Sequence, residues 1–437
     1  MPGPPAGRQV EVLDLGCIAD DVTGATDVAT ALVGAGFRTE VRFGVPAGGA
    51  DVPGDVDATV VALKSRTAPV DDAVRQSRAA LAWLRAAGAG RFYVKYCSTF
   101  DSTPRGNIGP VVDALLADLD APVTVVVPAF PAGGRTVYRG HLFVFDQLLA
   151  DSSMRHHPLT PMTESSVVRL LAPQTRHRVG LVPLTTVHRG AAAVRDLLQG
   201  AAARTLFVVD VVEDGDLATI AAAIDDLPLV TGGSGLAAAL RPRTPRSSDG
   251  IRCLDVVPGR RAVLVGSLSD TTGRQLRHAR ERLPVVDLEP SAVTGDVRGW
   301  AFAAAERAAA WWRESPDRPV LFSSVDVGDL SADVVEAAFG QLAVALRARG
   351  ARQFVLAGGE TSGAVVAALG VSRLSIGPEL APGVAWGTAD SVAGPLDLVL
   401  KSGNFGGDDL FTAAWHMLDR SSGEQCLGTT DVVRGRA

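Results

Sequence analysis

The stretch "VEVLDLGCIADDVTGATD", residues 10–27, decides how this chain folds. Its first half is almost continuously apolar, as expected of a strand covered on both faces. Asp20, Asp21 and Asp27 then crowd around Gly24 where a helical pattern begins. Adjacent acids at a buried strand end repel one another unless a cation or a substrate hydroxyl compensates them. Ligands in open α/β sheets sit beyond the carboxyl ends of the strands, so this stretch reads as a strand that delivers charge to a site.

The same unit recurs on either side of one break. Apolar, β-branched runs at 58–64, 91–97, 123–130, 178–184, 205–212 and 227–233 alternate with alanine- and leucine-rich helical patterns. In the pattern over 71–88, Val74, Ala80, Leu81 and Leu84 share one stripe. At 241–260 the text becomes "RPRTPRSSDGIRCLDVVPGR", where proline, serine and arginine replace the periodicity. Further apolar runs follow at 261–267, 283–289, 318–325, 351–359 and 396–403. Strand–helix alternation implies βαβ units, so the chain is expected to form two α/β domains with mostly parallel sheets around a cleft. The expected boundaries are a Rossmann-like domain at 8–240, a linker at 241–260 and a second domain at 261–425. The tail after 425 reads as frayed.

Composition narrows the function classes. Of 437 residues, 47% are hydrophobic and 21% charged, ample for a globular core. A net charge of -6 argues against a general nucleic-acid binder. The four cysteines, at 17, 97, 253 and 426, are too scattered for a disulfide framework or a metal pair. No signal peptide is visible and no apolar stretch reaches the ~18 residues of a membrane helix, so a cytoplasmic protein without membrane contact is expected.

Three strand ends in the second half share one design: "VLVGSLSDTTG" (263–273), "VLAGGETSGAVVAALG" (355–370) and "VLKSGNFGGDDLF" (399–411). Each runs strand, glycine turn, helix, with Ser269 or Asp270 capping the first helix. Glycine lets backbone N–H groups approach a phosphate, and a helix start adds free donors. Ser267, Gly358, Gly359, Glu360, Thr361, Gly403, Asn404 and Gly406 are therefore candidates to hold a nucleotide tail. Glycine punctuation is common, so one such turn means little and the set of three carries the reading. Neither a P-loop nor a GxGxxG fingerprint is present, and "TGGSGLA" (231–237) reads as a tight turn into a helix.

Strand ends in the first half carry charge instead. Lys64, Arg66, Lys95, Ser98, Asp101, Asn107 and Arg135 are candidate contacts for a small acidic, polyhydroxylated substrate, with Lys95 and Arg135 aimed at its carboxylate. Blander readings stand beside these. Asp27 reads as a first-turn carboxylate, Asp101 and Arg105 as a surface pair, His156 and His157 as a solvated loop pair, and His141 is left between packing and substrate contact.

The chain resembles the four-carbon acid sugar kinases in "IADDVTGATD", "LKSRT", "KYCSTFDSTPRGNIGPV", "PAFPAGGRTVYRGHLFV", "VTGGSGLA", "LAGGETSG", "IGPELAPGVAW" and "LKSGNFGGDD". "KYCSTFDST" and "HPLTPMT" are similar to its 3-oxo-tetronate branch, against the D-threonate and D-erythronate branches. The resemblance implies a substrate domain followed by a nucleotide domain, with transfer of the ATP γ-phosphate to the C4 hydroxyl of a four-carbon sugar acid. On matching positions it places nucleotide contacts at Ser267, Gly358 through Thr361, and Gly403. The family often has cysteine between the serines of this "GSLS" turn, where this chain has Leu268. Asp20 or Asp21 is the expected proton acceptor, with its neighbour orienting the hydroxyl or helping to hold Mg²⁺. Metal ligands are otherwise unassigned, and a homodimer is left open. Rival readings are a non-catalytic sugar-acid binding protein and a nicotinamide-dependent dehydrogenase.

Overall fold

The structure, a computed structural model, describes residues 13–49, 52–156, 160–201, 204–243, 256–324 and 330–421. Residues 8–12 of the expected first domain, 244–255 of the linker, 422–425 of the second domain and His157 lie outside the described residues.

The front lobe contains β1 (Leu15–Ala19), β2 (Thr39–Phe43), β3 (Ala58–Ala62), β4 (Arg91–Lys95), β5 (Val123–Val127), β6 (Arg135–Tyr138), β7 (His141–Val144), β8 (Gln147–Leu148), β9 (Arg178–Val182), β10 (Thr205–Val209) and β11 (Leu229–Gly232). The rear lobe contains β12 (Arg260–Val265), β13 (Val285–Asp287), β14 (Val320–Ser323), β15 (Ala351–Ala357), β16 (Val371–Ala381), β17 (Val384–Ser391) and β18 (Leu396–Lys401). Every apolar run picked out above holds one of these strands, and β1 is buried along its whole length. The helical pattern over 71–88 is the helix Val70–Ala86, with Ala80, Leu81 and Leu84 buried.

The runs do not reveal that both lobes share one sheet. Its order is β13-β14-β12-β15-β18-β17-β16-β2-β3-β1-β4-β11-β5-β10-β9, while β6, β7 and β8 form a separate antiparallel sheet. Strands from β2 through β9 are mutually parallel, as are β18, β15, β12, β14 and β13. Between them, β16 and β17 run antiparallel to their neighbours and stitch the lobes together. At the seam Glu40, Val41 and Arg42 face Ser375, Leu374 and Arg373. Glu40, 1% exposed, accepts from Arg42 Nε at 2.7 Å and lies 3.8 Å from Arg373. One hydrophobic cluster accordingly runs through both lobes, from Leu13 to Leu400. A second, centred on Trp386, Phe411 and Trp415, covers the other face of the rear strands.

"TGGSGLA" is a tight turn: β11 ends at Gly232 and a helix begins at Ser234. A β-carbon on Gly232, Gly233 or Gly235 would come within 2.6, 2.8 or 2.6 Å of the carbonyl oxygens of Val127, Pro128 and Ala129. These glycines exist for close approach to the exit of β5, which leads on to Arg135. Gly235→Ala should therefore lower stability by about 1–3 kcal/mol through overpacking against backbone that cannot yield. A lower urea midpoint for the variant would show it; an unchanged midpoint would mean the exit of β5 adapts freely.

Candidate active site

The repulsion that the opening stretch predicts is answered by an arginine. Asp21 caps the helix Val22–Gly34, accepting from Gly24 N at 3.1 Å and from Thr23 Oγ1 at 2.8 Å. Arg66, just beyond β3, donates from Nε to Asp20 Oδ2 (2.9 Å). Its Nη2 donates to Asp20 Oδ1 (2.8 Å) and Asp21 Oδ1 (2.7 Å). Arg66 also lies 3.8 Å from Asp101 Oδ2, so it answers three carboxylates at once. Its loop is pinned from both sides. The N–H groups of Ser65 and Arg66 donate to Asp20 O. The Asn107 amide donates to the carbonyls of Ser65, Arg66 and Ala68 at 2.7, 3.2 and 2.8 Å. Asn107 thus braces Arg66 in addition to bordering the cavity beside it.

The two aspartates differ electrostatically. Burial pushes Asp20 above the usual carboxylate value, against the pull of Arg66. Burial works the same way on Asp21, but Arg66, Lys95, Thr23 and Gly24 outweigh it and hold Asp21 below the usual value. Asp27 is no first-turn carboxylate: the helix starts at Val22, Asp27 is 6% exposed, and its Oδ2 lies 3.3 Å from Lys95 Nζ. Lys95, 2% exposed, is thereby committed to a buried pair. Asp101 turns toward Arg66 and accepts from Thr160 Oγ1 at 3.3 Å, so the expected pairing with Arg105 is replaced. His141 Nδ1 meets the Arg139 carbonyl at 3.0 Å.

Asp20, Arg66, Lys95, Asp101, Ser102 and Asn107 line one cavity, closed by Val94, Tyr96 and Ile108. Ser98 lies beside Gly233, 3.6 Å from where a β-carbon on that glycine would sit. Arg135, at the start of β6, donates to the Gly133 carbonyl and lies 5.6 Å from the Phe145 ring centroid. Its Nε is buried without a partner, and among the described residues no carboxylate comes within ion-pair distance.

The rear lobe brings its three glycine turns together. Ser269 caps the helix Asp270–Arg280, accepting from Thr272 N at 3.2 Å. Ser269 Oγ donates to Gly403 O at 2.5 Å and Thr272 Oγ1 donates to it at 2.9 Å, while Ser267 Oγ lies 3.2 Å from Thr272 Oγ1. Gly358 has φ +115°, which side chains rarely adopt, and opens the helix Gly359–Ala368. A β-carbon on Gly266 would collide with Thr361 Oγ1. Gln275 holds the third turn, donating to the carbonyls of Phe405, Gly406 and Gly407. Asn404 is exposed on it. The three turns gather backbone and hydroxyl groups at a helix start, an arrangement suited to phosphate.

The two halves touch. A β-carbon on Gly359 would lie 3.5 Å from Thr23 Oγ1 and 3.8 Å from Asp21 Oδ2, and one on Gly363 would lie 2.6 Å from Lys64 Cε. Lys64 Nζ reaches Glu360 at 3.4 Å and Glu336 at 3.6 Å across the same boundary. Sequence reasoning passed over Thr272, Gln275 and Lys401. The available signal was a lysine following the apolar run Leu398–Leu400 in "LDLVLK".

Comparison with known proteins agrees with this division. Residues 15–240 match the family described as "Sugar-binding N-terminal domain" and residues 262–411 the one described as "Nucleotide-binding C-terminal domain". A 3-oxo-tetronate kinase of Cupriavidus necator is 48% identical over 92% of this chain and 97% of its own. One of Pseudomonas savastanoi is 46% identical over 92% of this chain and 97% of its own. Among solved structures, a Salmonella typhimurium LT2 protein described as a putative tRNA synthase is 40% identical, with a TM-score of 0.82 over 92% of this chain and 99% of its own. A Haemophilus influenzae protein is 38% identical, with a TM-score of 0.73 over 92% of this chain and 100% of its own. Among the described residues no helix is long and apolar enough to cross a membrane. An acid pair meeting a corner of glycine turns, in a chain related to these kinases along nearly its whole length, has one consistent reading: the chain belongs to the four-carbon acid sugar kinase family, and it is a kinase that uses ATP to phosphorylate an alcohol group.

Proposed function

We propose that the chain transfers the γ-phosphoryl group of ATP to the C4 hydroxyl of a 3-oxo-tetronate, giving the 4-phosphate, in the cytoplasm. The observation that carries this reading is the approach of Asp21 and Thr23 to Gly359, because phosphoryl transfer needs its acceptor oxygen in line with the phosphate. The names of the related kinases supply the substrate class.

The sugar acid lies over the strand ends of the front lobe with its carboxylate toward Arg135, since Lys95 is committed to Asp27 and Arg66 to three aspartates. Asp101, Ser102 and Asp20 face its hydroxyls. As the C4 oxygen forms its bond to phosphorus, the bond to the β,γ-bridging oxygen breaks and the hydroxyl proton passes to Asp20. Asp20 is the better acceptor of the pair because burial has raised it, whereas Asp21 is held low. Mg²⁺ is bound by hard oxygens, often one or two carboxylates plus the phosphates. The oxygens of Glu360 and Asp21 beside the glycine corner fit that demand and would hold the ion, which supplies charge neutralisation on the phosphates. Closure of the two lobes over the substrates would keep water from the reacting phosphate.

Asp20→Asn should cut kcat by about 10²–10⁴ while ATP still binds; near-normal turnover would remove Asp20 from the chemistry. Because Asp20 is raised, the wild-type rate should be lost as pH falls through a value above that of a free aspartate, about 3.9. That acid limb should vanish from the residual activity of the variant. Arg135→Met should raise the KM of the sugar acid about 10–100-fold and leave that of ATP unchanged, the size of a lost charged hydrogen bond. An assay of ADP release over a panel of four-carbon acids checks the substrate: a preference for D-threonate or D-erythronate would replace the 3-oxo acid. Silence across the panel, with thermal stabilisation by one acid, would make the chain a binding protein.

A further inference from the structure

We propose that Lys401 is a buried positioning residue of the nucleotide corner, holding the Gly403 turn and the Ser267–Thr272 hydroxyls from beneath and taking up a proton as the polyphosphate settles above them. The inference rests on the nucleotide reading of that corner.

Lys401 ends β18, a strand buried along its whole length, and is itself 0% exposed. A charge in such a place is costly unless something compensates it. Its Nζ donates to Thr272 Oγ1 at 3.0 Å, Ser402 O at 3.0 Å and Gly403 O at 2.9 Å. A neutral amine has only two protons for these three acceptors, so the full set is satisfied only in the charged form. Among the described residues no carboxylate lies within ion-pair distance of Nζ. Beneath lies the Phe411 ring, 5.9 Å from Nζ to its centroid. The charged groups nearest in sequence on the packed elements are Asp270 and Arg274 on one helix, and Asp408 and Asp409 before the next. All four are exposed, with Arg274 paired to Asp408. Burial alone therefore lowers the amine to about 7.

The oxygens that Lys401 holds are those that build the corner. Gly403 O also accepts from Ser269 and Thr272, and Ser267 Oγ lies 3.2 Å from Thr272 Oγ1. Polyphosphate on this shell would bring the missing negative charge within reach of an amine that already has the geometry of an ammonium. The cation would strengthen binding without touching solvent, and it would act through Gly403 and Thr272.

Calorimetric titration of the wild-type chain with ATP and Mg²⁺, without sugar acid, in buffers of different ionisation enthalpy counts the protons. At pH 8, where the free amine is mostly neutral, uptake should approach one proton per nucleotide. It should fall toward zero at pH 6, where the amine is already charged. Lys401→Met should abolish the uptake and weaken ATP about 10-fold or more, with the KM of the sugar acid unchanged. Thr272→Val should weaken ATP but keep the uptake, which a merely structural lysine would not explain. ATP binding by the wild type with no proton uptake, or full affinity in a folded Lys401→Met, would overturn the proposal and leave the kinase reading standing. Failure of the wild type to bind ATP at all would remove both. The wild-type proton count requires no variant to fold.

Discussion

One guanidinium makes this site possible. Asp20 and Asp21 leave the end of a buried strand side by side, and such a pair would expel itself into solvent or protonate without a countercharge. Arg66 supplies it in a forked geometry that a lysine could not reproduce, bridging both carboxylates and reaching toward Asp101. Because the arginine is planar and its loop is clamped by Asn107 and by the Asp20 carbonyl, the carboxylates are held where they are needed. The cost of burying so much charge is offset locally, which leaves Asp20 raised and Asp21 lowered within one pair. Two neighbouring acids with divergent proton affinities can then divide the labour between accepting a proton and facing a phosphate or metal.

The rear lobe solves the opposite problem. Its three glycine turns lie together, and each turn is held by side chains that have no contact with solvent or little of it. Gln275 ties down 405–407, Thr361 fills the space beside Gly266, and Lys401 braces Gly403. These contacts fix the three turns relative to one another. The front lobe concentrates fixed charge and the rear lobe concentrates oriented dipoles, an arrangement that suits the transfer of a charged group between them.

The continuous sheet decides where the two meet. Strands β16 and β17 reverse direction between the parallel halves, and the seam is sealed by Glu40 between Arg42 and Arg373. The lobes are accordingly registered against each other by main-chain pairing as well as by side chains. Thr26 Oγ1 adds a bond to Leu400 O at 3.4 Å, close to the end of β18.

Much of this was legible in the text of the chain. Nearly continuous apolar, β-branched runs such as 58–63 and 123–127 read as doubly covered strands, and their polar ends pointed to a site. Local rules, burial on both faces and glycine at phosphate turns, need only neighbouring residues to be read. What they could not show lay at long range. The segment 371–391 is interrupted by Gly377, Pro378, Pro382 and Gly383 and alternates only weakly, so it does not announce the strands that join the lobes. The partners of Asp27, Asp101 and Lys401 are likewise chosen by packing: charges that look solvated in sequence become buried pairs or braces once strands bring them inside. Sequence determined the parts and the ends of the strands where chemistry gathers. Only the tertiary structure decided which charge faces which, because a side chain's protonation and partner depend on the dielectric and the neighbours that the fold assembles around it.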